Sequence, residues 1–299
     1  MNTIPLLLNP AAGSLHTSGL RAWLSAHEAE FRLIPTRSAE HLTETAARLA
    51  AEGEPIVAAA GGDGTLMCAA QGLMGSACAL GILPSGTMNV FARELGIGSR
   101  NFDRALAAMR SGSPAQVDIF TVNGKPFLQM AGFGPDARII QLITPGMKKR
   151  IGAAAHLLTG LKVMTEHLPA VTLHLPDGRT YRGKQIIFGN GKRYAGPGKL
   201  FRGAAYDDGL LDAAIFHQCL PGIIAESLCC MLLSGGTDRN TSFMTHVIPL
   251  AEGTIEADGC LPYQLDGDYV ATLQPGEQAH ITRLPQRLRV CVPDQPNAQ

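Results

Sequence analysis

Ile56-Val57-Ala58-Ala59-Ala60-Gly61-Gly62-Asp63-Gly64-Thr65 is the stretch on which the architecture turns. An uninterrupted apolar run fits a strand buried on both faces of a parallel sheet. The glycines follow at once and form the turn into a helix. Glycines there let the backbone approach a phosphate closely, and a helix N-terminus offers free N–H groups with partial positive charge. Asp63, inserted among them, can hold or orient Mg²⁺, which phosphoryl transfer uses to neutralise charge on the transferred group. The competing reading of the same spacing is a tight strand-to-helix turn with an N-capping aspartate.

Outward from that stretch, short apolar runs alternate with segments of helical period. Ile4–Leu8, Phe31–Ile34 and Ala77–Leu83 read as further strands. Thr17–Ala29, a segment capped by Ser38 and stopped at Gly53, Met88–Leu95 and Phe102–Arg110 read as helices. This is the grammar of an open βαβ sheet. After it come strands joined by tight turns: Val117–Val122 and Phe127–Ala131 around Asn123-Gly124, and Val171–Leu175 and Tyr181–Phe188 around Asp177-Gly178. More strands are predicted at Leu211–Phe216, His246–Leu250, Gly253–Ala257, Tyr269–Leu273 and Ala279–Arg283, with helical patterns at Met147–His167 and Ile223–Leu233. The predicted fold class is α/β plus β, in two domains, 1–117 and 118–299, with the extreme C-terminus free to return to the first.

The chain has 299 residues, with 25 Lys plus Arg against 25 Asp plus Glu. A formal charge of zero argues against nucleic acid as partner, since phosphate backbones demand a basic surplus. Seven cysteines lie scattered, with no C-x-x-C spacing, and fit reduced thiols of a cytoplasmic protein. No run of eighteen apolar residues occurs, so any membrane contact is expected to be peripheral. A homodimer is compatible with the sequence.

Two further loops end strands of the first sheet, Asn9-Pro10-Ala11-Ala12-Gly13 and Pro84-Ser85-Gly86-Thr87-Met88-Asn89. Ligands of open α/β sheets bind beyond the carboxyl ends of the strands, so three such loops are expected to converge on one crevice. Thr36 belongs to the same rim, either as a nucleotide contact or as a hydroxyl opening the next helix. No G-x-x-x-x-G-K-[ST] segment is present, which excludes a Walker-type phosphate loop.

Together, Leu8–Gly13, Gly61–Thr65 and Leu83–Ala92 resemble the bacterial diacylglycerol and lipid kinase family, which includes sphingosine kinase-like enzymes. Gly132-Phe133-Gly134-Pro135-Asp136-Ala137, Tyr206–Asp212 and Leu265-Asp266-Gly267-Asp268 follow in the order that family shows. The resemblance implies an NAD kinase-like nucleotide domain, a β-sandwich second domain and an active site in the cleft between them. It implies ATP as phosphate donor, bound by Asn9, Thr36, Gly61, Gly62, Asp63, Gly64, Thr65, Leu66, Met67 and Thr87, together with Mg²⁺. It implies Asp268 as acceptor of the lipid hydroxyl's proton, with Asp266 as neighbour or substitute, where a hairpin turn is the alternative. It also implies a structural or regulatory Mg²⁺ on Asp208 and the carbonyls of Ala205 and Leu210, where a simple turn is again the alternative.

Three departures from the family pattern occur: Val90 in place of Asp, Met67-Cys68 in place of Asn-Glu, and Asp268 in place of Glu. On the lipid side, Lys148, Lys149 and Arg150 precede an apolar face of Ile151, Ala154, Leu157, Leu158 and Leu161, suited to anionic headgroups and acyl chains or to an ordinary core. The leading expectation is an ATP-dependent kinase acting on diacylglycerol or a related lipid at the membrane surface. The alternatives are an NAD kinase-like small-molecule kinase and a catalytically silent lipid-binding protein.

Overall fold

The computed structural model describes residues 3–9, 19–111, 113–143, 154–163, 165–194, 198–217 and 245–294. In chain order the first part holds β1 (Ile4–Leu8), α1 (Leu20–Ala26), β2 (Phe31–Pro35), α2 (Ala39–Ala51), β3 (Ile56–Gly61), α3 (Asp63–Leu73), β4 (Ala79–Pro84), α4 (Val90–Glu94), α5 (Phe102–Ser111) and β5 (Pro114–Val117). Next come β6 (Phe120–Val122), β7 (Lys125–Phe127), β8 (Met130–Phe133), α6 (Pro135–Leu142), α7 (Ala154–Val163), β9 (Val171–His174), β10 (Thr180–Gly183) and β11 (Gln185–Gly189). The last part holds β12 (Arg193–Tyr194), β13 (Gly198–Lys199), β14 (Leu211–Phe216), β15 (Thr245–Leu250), β16 (Glu252–Ala257), β17 (Leu261–Leu265), β18 (Asp268–Leu273), β19 (Ala279–Arg283) and β20 (Leu288–Cys291). The chain forms two compact units, the second running over Phe120–Tyr194 and Gly198–Leu284 and the first holding the remainder.

The first unit is an open sheet in the order β2-β1-β3-β4-β20-β5. Pairing is parallel from β2 through β20, and only β5 runs against its neighbour. Leu6, Leu7, Val57, Ala58, Ala59, Leu80 and Leu83 are wholly buried, as a sheet covered on both faces requires. Ser38 caps α2 by accepting the His41 N–H at 3.1 Å, and Gly53 follows the helix at φ 87°.

The second unit is a sandwich of two six-stranded antiparallel sheets, β10-β9-β16-β19-β6-β7 and β15-β14-β11-β8-β17-β18. One apolar cluster lies between them, with Phe120, Val122, Leu173 and Ile281 from one sheet and Phe133, Phe188, Ile215 and Leu261 from the other. The parallel-sheet unit followed by a β-sandwich matches the predicted fold class. Met147–His167 is described only in part, α7 being helical, and Ile223–Leu233 lies outside the described residues.

Three predicted strands are each two, and each break has a local cause. Val117–Val122 is interrupted at Asp118, whose buried carboxylate pairs with Arg287 Nε at 2.8 Å, so β5 joins the first sheet and β6 the second unit. Phe127–Ala131 breaks at Leu128 and Gln129, whose N–H groups donate to the Asp266 carboxylate rather than to a ladder. Tyr181–Phe188 crosses from one sheet to the other at Lys184, beside Gly183, where a Cβ would lie 2.7 Å from the Phe216 carbonyl. Removing Arg287 as Arg287→Met is expected to cost about 2 kcal/mol, less than a fully buried pair because the arginine is partly exposed. Chemical denaturation of the purified variant measures it.

Candidate active site

Parallel register fixes which loops share an edge. Leu8 stands opposite Pro35 on one side and Ala60 on the other, Ala60 opposite Leu83 and Gly61 opposite Pro84. Thr36, Asn9, Gly62 and Ser85 therefore leave four neighbouring strands at the same carboxyl edge. Of the Asn9–Gly13 loop only Asn9 is among the described residues; it is exposed, and so is Thr87. Thr36 is 2% exposed and donates its hydroxyl hydrogen to the Leu8 carbonyl at 3.1 Å, tying β2 to β1, while the helix cap falls to Ser38.

The β3 and β4 loops meet backbone to backbone. Ser85 N–H and Gly86 N–H both donate to the Gly61 carbonyl, at 3.0 and 3.2 Å. A Cβ at Gly86 would lie 2.5 Å from Gly62 Cα and 2.7 Å from Asn89 Oδ1. A Cβ at Gly61 would collide with the Thr65 side chain. Gly86 is required by close packing of the two loops, and Gly61 by the Thr65 side chain that lies over it, whatever else they do. The first intrahelical bond of α3 runs from Leu66 N–H to the Gly62 carbonyl at 3.1 Å, so the N–H groups of Asp63, Gly64 and Thr65 precede the helical ladder. Leu66 itself points into the core, wholly buried, whereas Gly64 is exposed and Met67 half-buried.

Asp63 does not stand free. Its Oδ1 accepts the Phe91 N–H at 3.0 Å, so it caps α4 and fastens the β3 loop to the β4 loop. Burial raises its carboxyl above the ordinary carboxylate range, against backbone N–H groups led by Phe91 and Val90 that lower it. Asn89 completes the knot from φ 48°, donating Nδ2 to the Gly86 carbonyl and to Ser99 Oγ, both at 2.8 Å. Its Oδ1 is buried with no hydrogen-bond partner among the described residues. Sequence reasoning singled out no role for Asn89; its place in a left-handed turn before a helix was the available signal.

In the second unit, Asp266 and Gly267 are the two central residues of the β17–β18 hairpin, at φ 49° and 89°, a type I′ conformation. The Asp266 carboxylate accepts the Leu128 N–H at 2.7 Å on Oδ2, and the Gln129 and Met130 N–H groups at 2.8 and 2.9 Å on Oδ1. Asp266 is thus the clamp of the turn, which does not leave it free to substitute for a proton acceptor. Asp268, the first residue of β18, is exposed and has no side-chain hydrogen bond among the described residues. The hairpin geometry and an exposed carboxylate coexist, so the two sequence readings of Asp266-Gly267-Asp268 were never exclusive.

Asp208 is exposed and its Oδ1 accepts the Leu210 N–H at 3.0 Å, an Asx turn around Gly209 at φ 77°. Ala205 and Leu210 are half-buried. Among the described residues no three His, Cys, Asp or Glu side chains gather as a metal cluster. No helix among them is long and apolar enough to cross a membrane. On α7, Leu158 and Leu161 are 54% and 55% exposed, one helical turn apart; Lys148, Lys149 and Arg150 lie outside the described residues.

Residues 3–122 match the diacylglycerol kinase catalytic domain. Over 251 residues the chain is 34% identical to a protein named "Probable lipid kinase YegS-like" from Pseudomonas aeruginosa (strain UCBPP-PA14), covering 81% of this chain and 78% of that one. A protein of the same name from Citrobacter koseri is 30% identical over 250 residues, covering 81% of this chain and 79% of its own. A solved structure described as a diacylglycerol kinase from Bacillus anthracis str. Sterne shares the fold, with a TM-score of 0.71 at 20% identity over 98% of this chain and 97% of that one. Similarity of that degree, running through both units, means that the chain belongs to the diacylglycerol kinase catalytic-domain family of lipid kinases, beside its YegS-like members.

Proposed function

We propose that this chain transfers the γ-phosphate of ATP to the hydroxyl of a lipid presented at a membrane surface, with diacylglycerol or a related lipid as acceptor. The observation that carries the donor half is the contact of the Gly61-Gly62 and Ser85-Gly86 loops, without room for a side chain at Gly61 or Gly86, at the start of α3. Backbone that close to bare, next to unladdered N–H groups, suits a polyphosphate.

The residues present also fit a magnesium ion bound to the phosphates. Such ions take one or two protein carboxylates, with phosphate and water oxygens completing the shell. Asp63 is a carboxylate on that edge, and Asn89 Oδ1, without a partner among the described residues, is an acceptor for a metal-bound water. When bound, the ion supplies neutralisation of the charge that develops on the transferred phosphoryl group. Asp63 and Asn89 keep the two loops in register, so that phosphate oxygens meet backbone donors rather than solvent. In the second unit Asp268 is assigned the hydroxyl proton, because it is exposed and held at the end of a rigid turn. Exposed leucines on α7 support apolar contact with the acceptor's chains or its membrane.

Radiolabelled ATP supplied with diacylglycerol, sphingoid base, phosphatidylglycerol or NAD in detergent micelles tests the reading. One lipid is expected to be labelled in a magnesium-dependent manner, and labelling is expected to vanish in Asp63→Ala. Labelled NAD with unlabelled lipid overturns the acceptor class; lipid binding without ATP turnover overturns the enzyme.

A further inference from the structure

Beneath the Asp266-Gly267 turn lies a buried polar chain that no step above uses. Asp136, at the start of α6, is 8% exposed, and Gln264, on β17, is 1% exposed. Gln264 Nε2 donates to Asp136 Oδ2 at 3.2 Å, and Gln264 Oε1 accepts the Gly267 N–H at 2.8 Å. The side-chain amide therefore joins a buried carboxyl to the backbone of the turn. The β17–β18 register shifts between Tyr263 and Gln264, a bulge of the kind that re-aims a side chain next to functional sites.

The rest of the surroundings are arranged around this pair. Asp136 Oδ1 accepts the Ala137 N–H at 2.7 Å, and the Asp136 N–H donates to Gln185 Oε1 at 3.0 Å. Tyr194 hydrogen-bonds to the Asp136 side chain. Burial, and then the Asp136 charge, raise the Tyr194 phenol well above its ordinary range, which keeps it a donor. A Cβ at Gly132 would collide with Asp136 Oδ2 and stand 2.7 Å from Gln264 Nε2. Gly132 is bare because the pair lies on it, and Gly134 at φ 110° turns the chain into α6. The Gly132-Phe133-Gly134-Pro135-Asp136 segment thus reads as a seat for one buried hydrogen bond.

We infer that Asp136 is a positioning residue: through Gln264 it sets the direction of the Asp266-Gly267 turn and hence of Asp268. The inference rests on the proposed role of Asp268. Asp266 anchors the turn from the β7–β8 side, whereas Asp136 and Gln264 hold the Gly267 amide, one residue from Asp268. With Asp136 ionised, the only orientation of the Gln264 amide that satisfies both neighbours is the observed one, Nε2 to the carboxylate and Oε1 to the N–H. Burial pushes the Asp136 carboxyl up to about 6, against hydrogen bonds from Gln264, Ala137 and Tyr194 that lower it.

Asp136→Asn introduces a second amide whose N–H₂ confronts that of Gln264, so one of the two must turn. The reversed pair D136N/Q264E restores the chain, with the new amide donating to the new carboxylate and that carboxylate accepting the Gly267 N–H. Two readouts are needed in the full chain. Amide hydrogen exchange at Gly267 reports the turn without any substrate, and kcat against KM for ATP reports its use. In D136N, Gly267 exchange is expected to quicken and kcat to fall, each roughly tenfold, with KM for ATP unchanged, as misplacing a reacting group predicts. D136N/Q264E is expected to recover both, a rescue that a merely space-filling role does not give. Unchanged Gly267 exchange in D136N overturns the inference, as does exchange that quickens while kcat holds. Should the wild-type chain phosphorylate no lipid, the kinase reading fails separately, and the exchange arm still decides whether Asp136 governs the turn.

Discussion

Asp266→Ala is expected to lower the free energy of unfolding by about 3–5 kcal/mol, because three backbone N–H groups lose a charged acceptor at once. Hydrogen bonds to an ionised carboxylate are the stronger class, and the donors at Leu128, Gln129 and Met130 sit where β7 gives way to β8, with no ladder partner to take over. The positive φ of Asp266 adds to the choice of residue, since aspartate tolerates the left-handed region and alanine does not. Asp268→Ala, two positions on, is expected to leave the denaturation midpoint nearly where it was, for its side chain is exposed and makes no bond among the described residues. Its effect belongs to turnover. Removal of a positioned proton acceptor costs roughly 10²–10⁴-fold in kcat where proton transfer limits the rate, and less in a loose phosphoryl transfer. Paired denaturation and kinase measurements on the two variants separate clamp from acceptor. An Asp268→Ala protein that turns over at the wild-type rate removes Asp268 from the mechanism.

The same two aspartates show what a sequence discloses and what it withholds. Asp266-Gly267 between apolar runs is a local signal, legible because a type I′ turn needs left-handed residues at both central positions. What Asp266 grips is not local: its three donors lie some 140 positions earlier in the chain, and no periodicity links the two segments. The first unit was legible from β1 to α5, since buried parallel strands and their covering helices are each encoded within a dozen residues, whereas β20, which joins the same sheet from far along the chain, was not read as a strand. The sandwich was legible strand by strand but not in its corners. Strands β5 and β6, β7 and β8, and β10 and β11 continue apolar runs across points where the chain changes sheet, and those points are set by Asp118, Asp266 and Lys184 through distant partners. Strand β17 escaped notice because Pro262 speaks against a central strand; there the ladder to β8 begins only at Tyr263. On the phosphate edge, residue type pointed to the glycines and Asp63, whereas the fastening of one loop to the other by Asp63 and Asn89 emerged only from the fold.

Gly86→Ala is expected to reduce kcat/KM for ATP by about 100-fold, the scale associated with shifting reacting groups by an ångström. The added Cβ would lie 2.5 Å from Gly62 Cα, 2.7 Å from Asn89 Oδ1 and 3.1 Å from Gly62 N, and two of these three are backbone atoms that cannot rotate away. The β3 and β4 loops must separate, and the bonds from Ser85 and Gly86 to the Gly61 carbonyl lengthen or break. Gly62→Ala makes the complementary test. Its Cβ would meet only Gly86 Cα, at 3.4 Å, so the free protein accommodates it with little movement. A phosphate resting on that backbone meets the new methyl directly. Gly62→Ala is therefore expected to keep the wild-type melting temperature while losing the stabilisation that magnesium and ATP confer, a shift set by ligand concentration over Kd. Gly259→Ala, whose Cβ would make ordinary contact with Pro169 in the second unit, serves as the neutral control. A Gly62→Ala protein that is stabilised by ATP as fully as the wild type would mean that nucleotide does not lie on this edge, however well the glycines pack. A Gly86→Ala protein that loses activity while Gly62→Ala retains it would assign the glycines to loop packing alone, because only the second substitution leaves the loops in place and changes nothing but what can approach them.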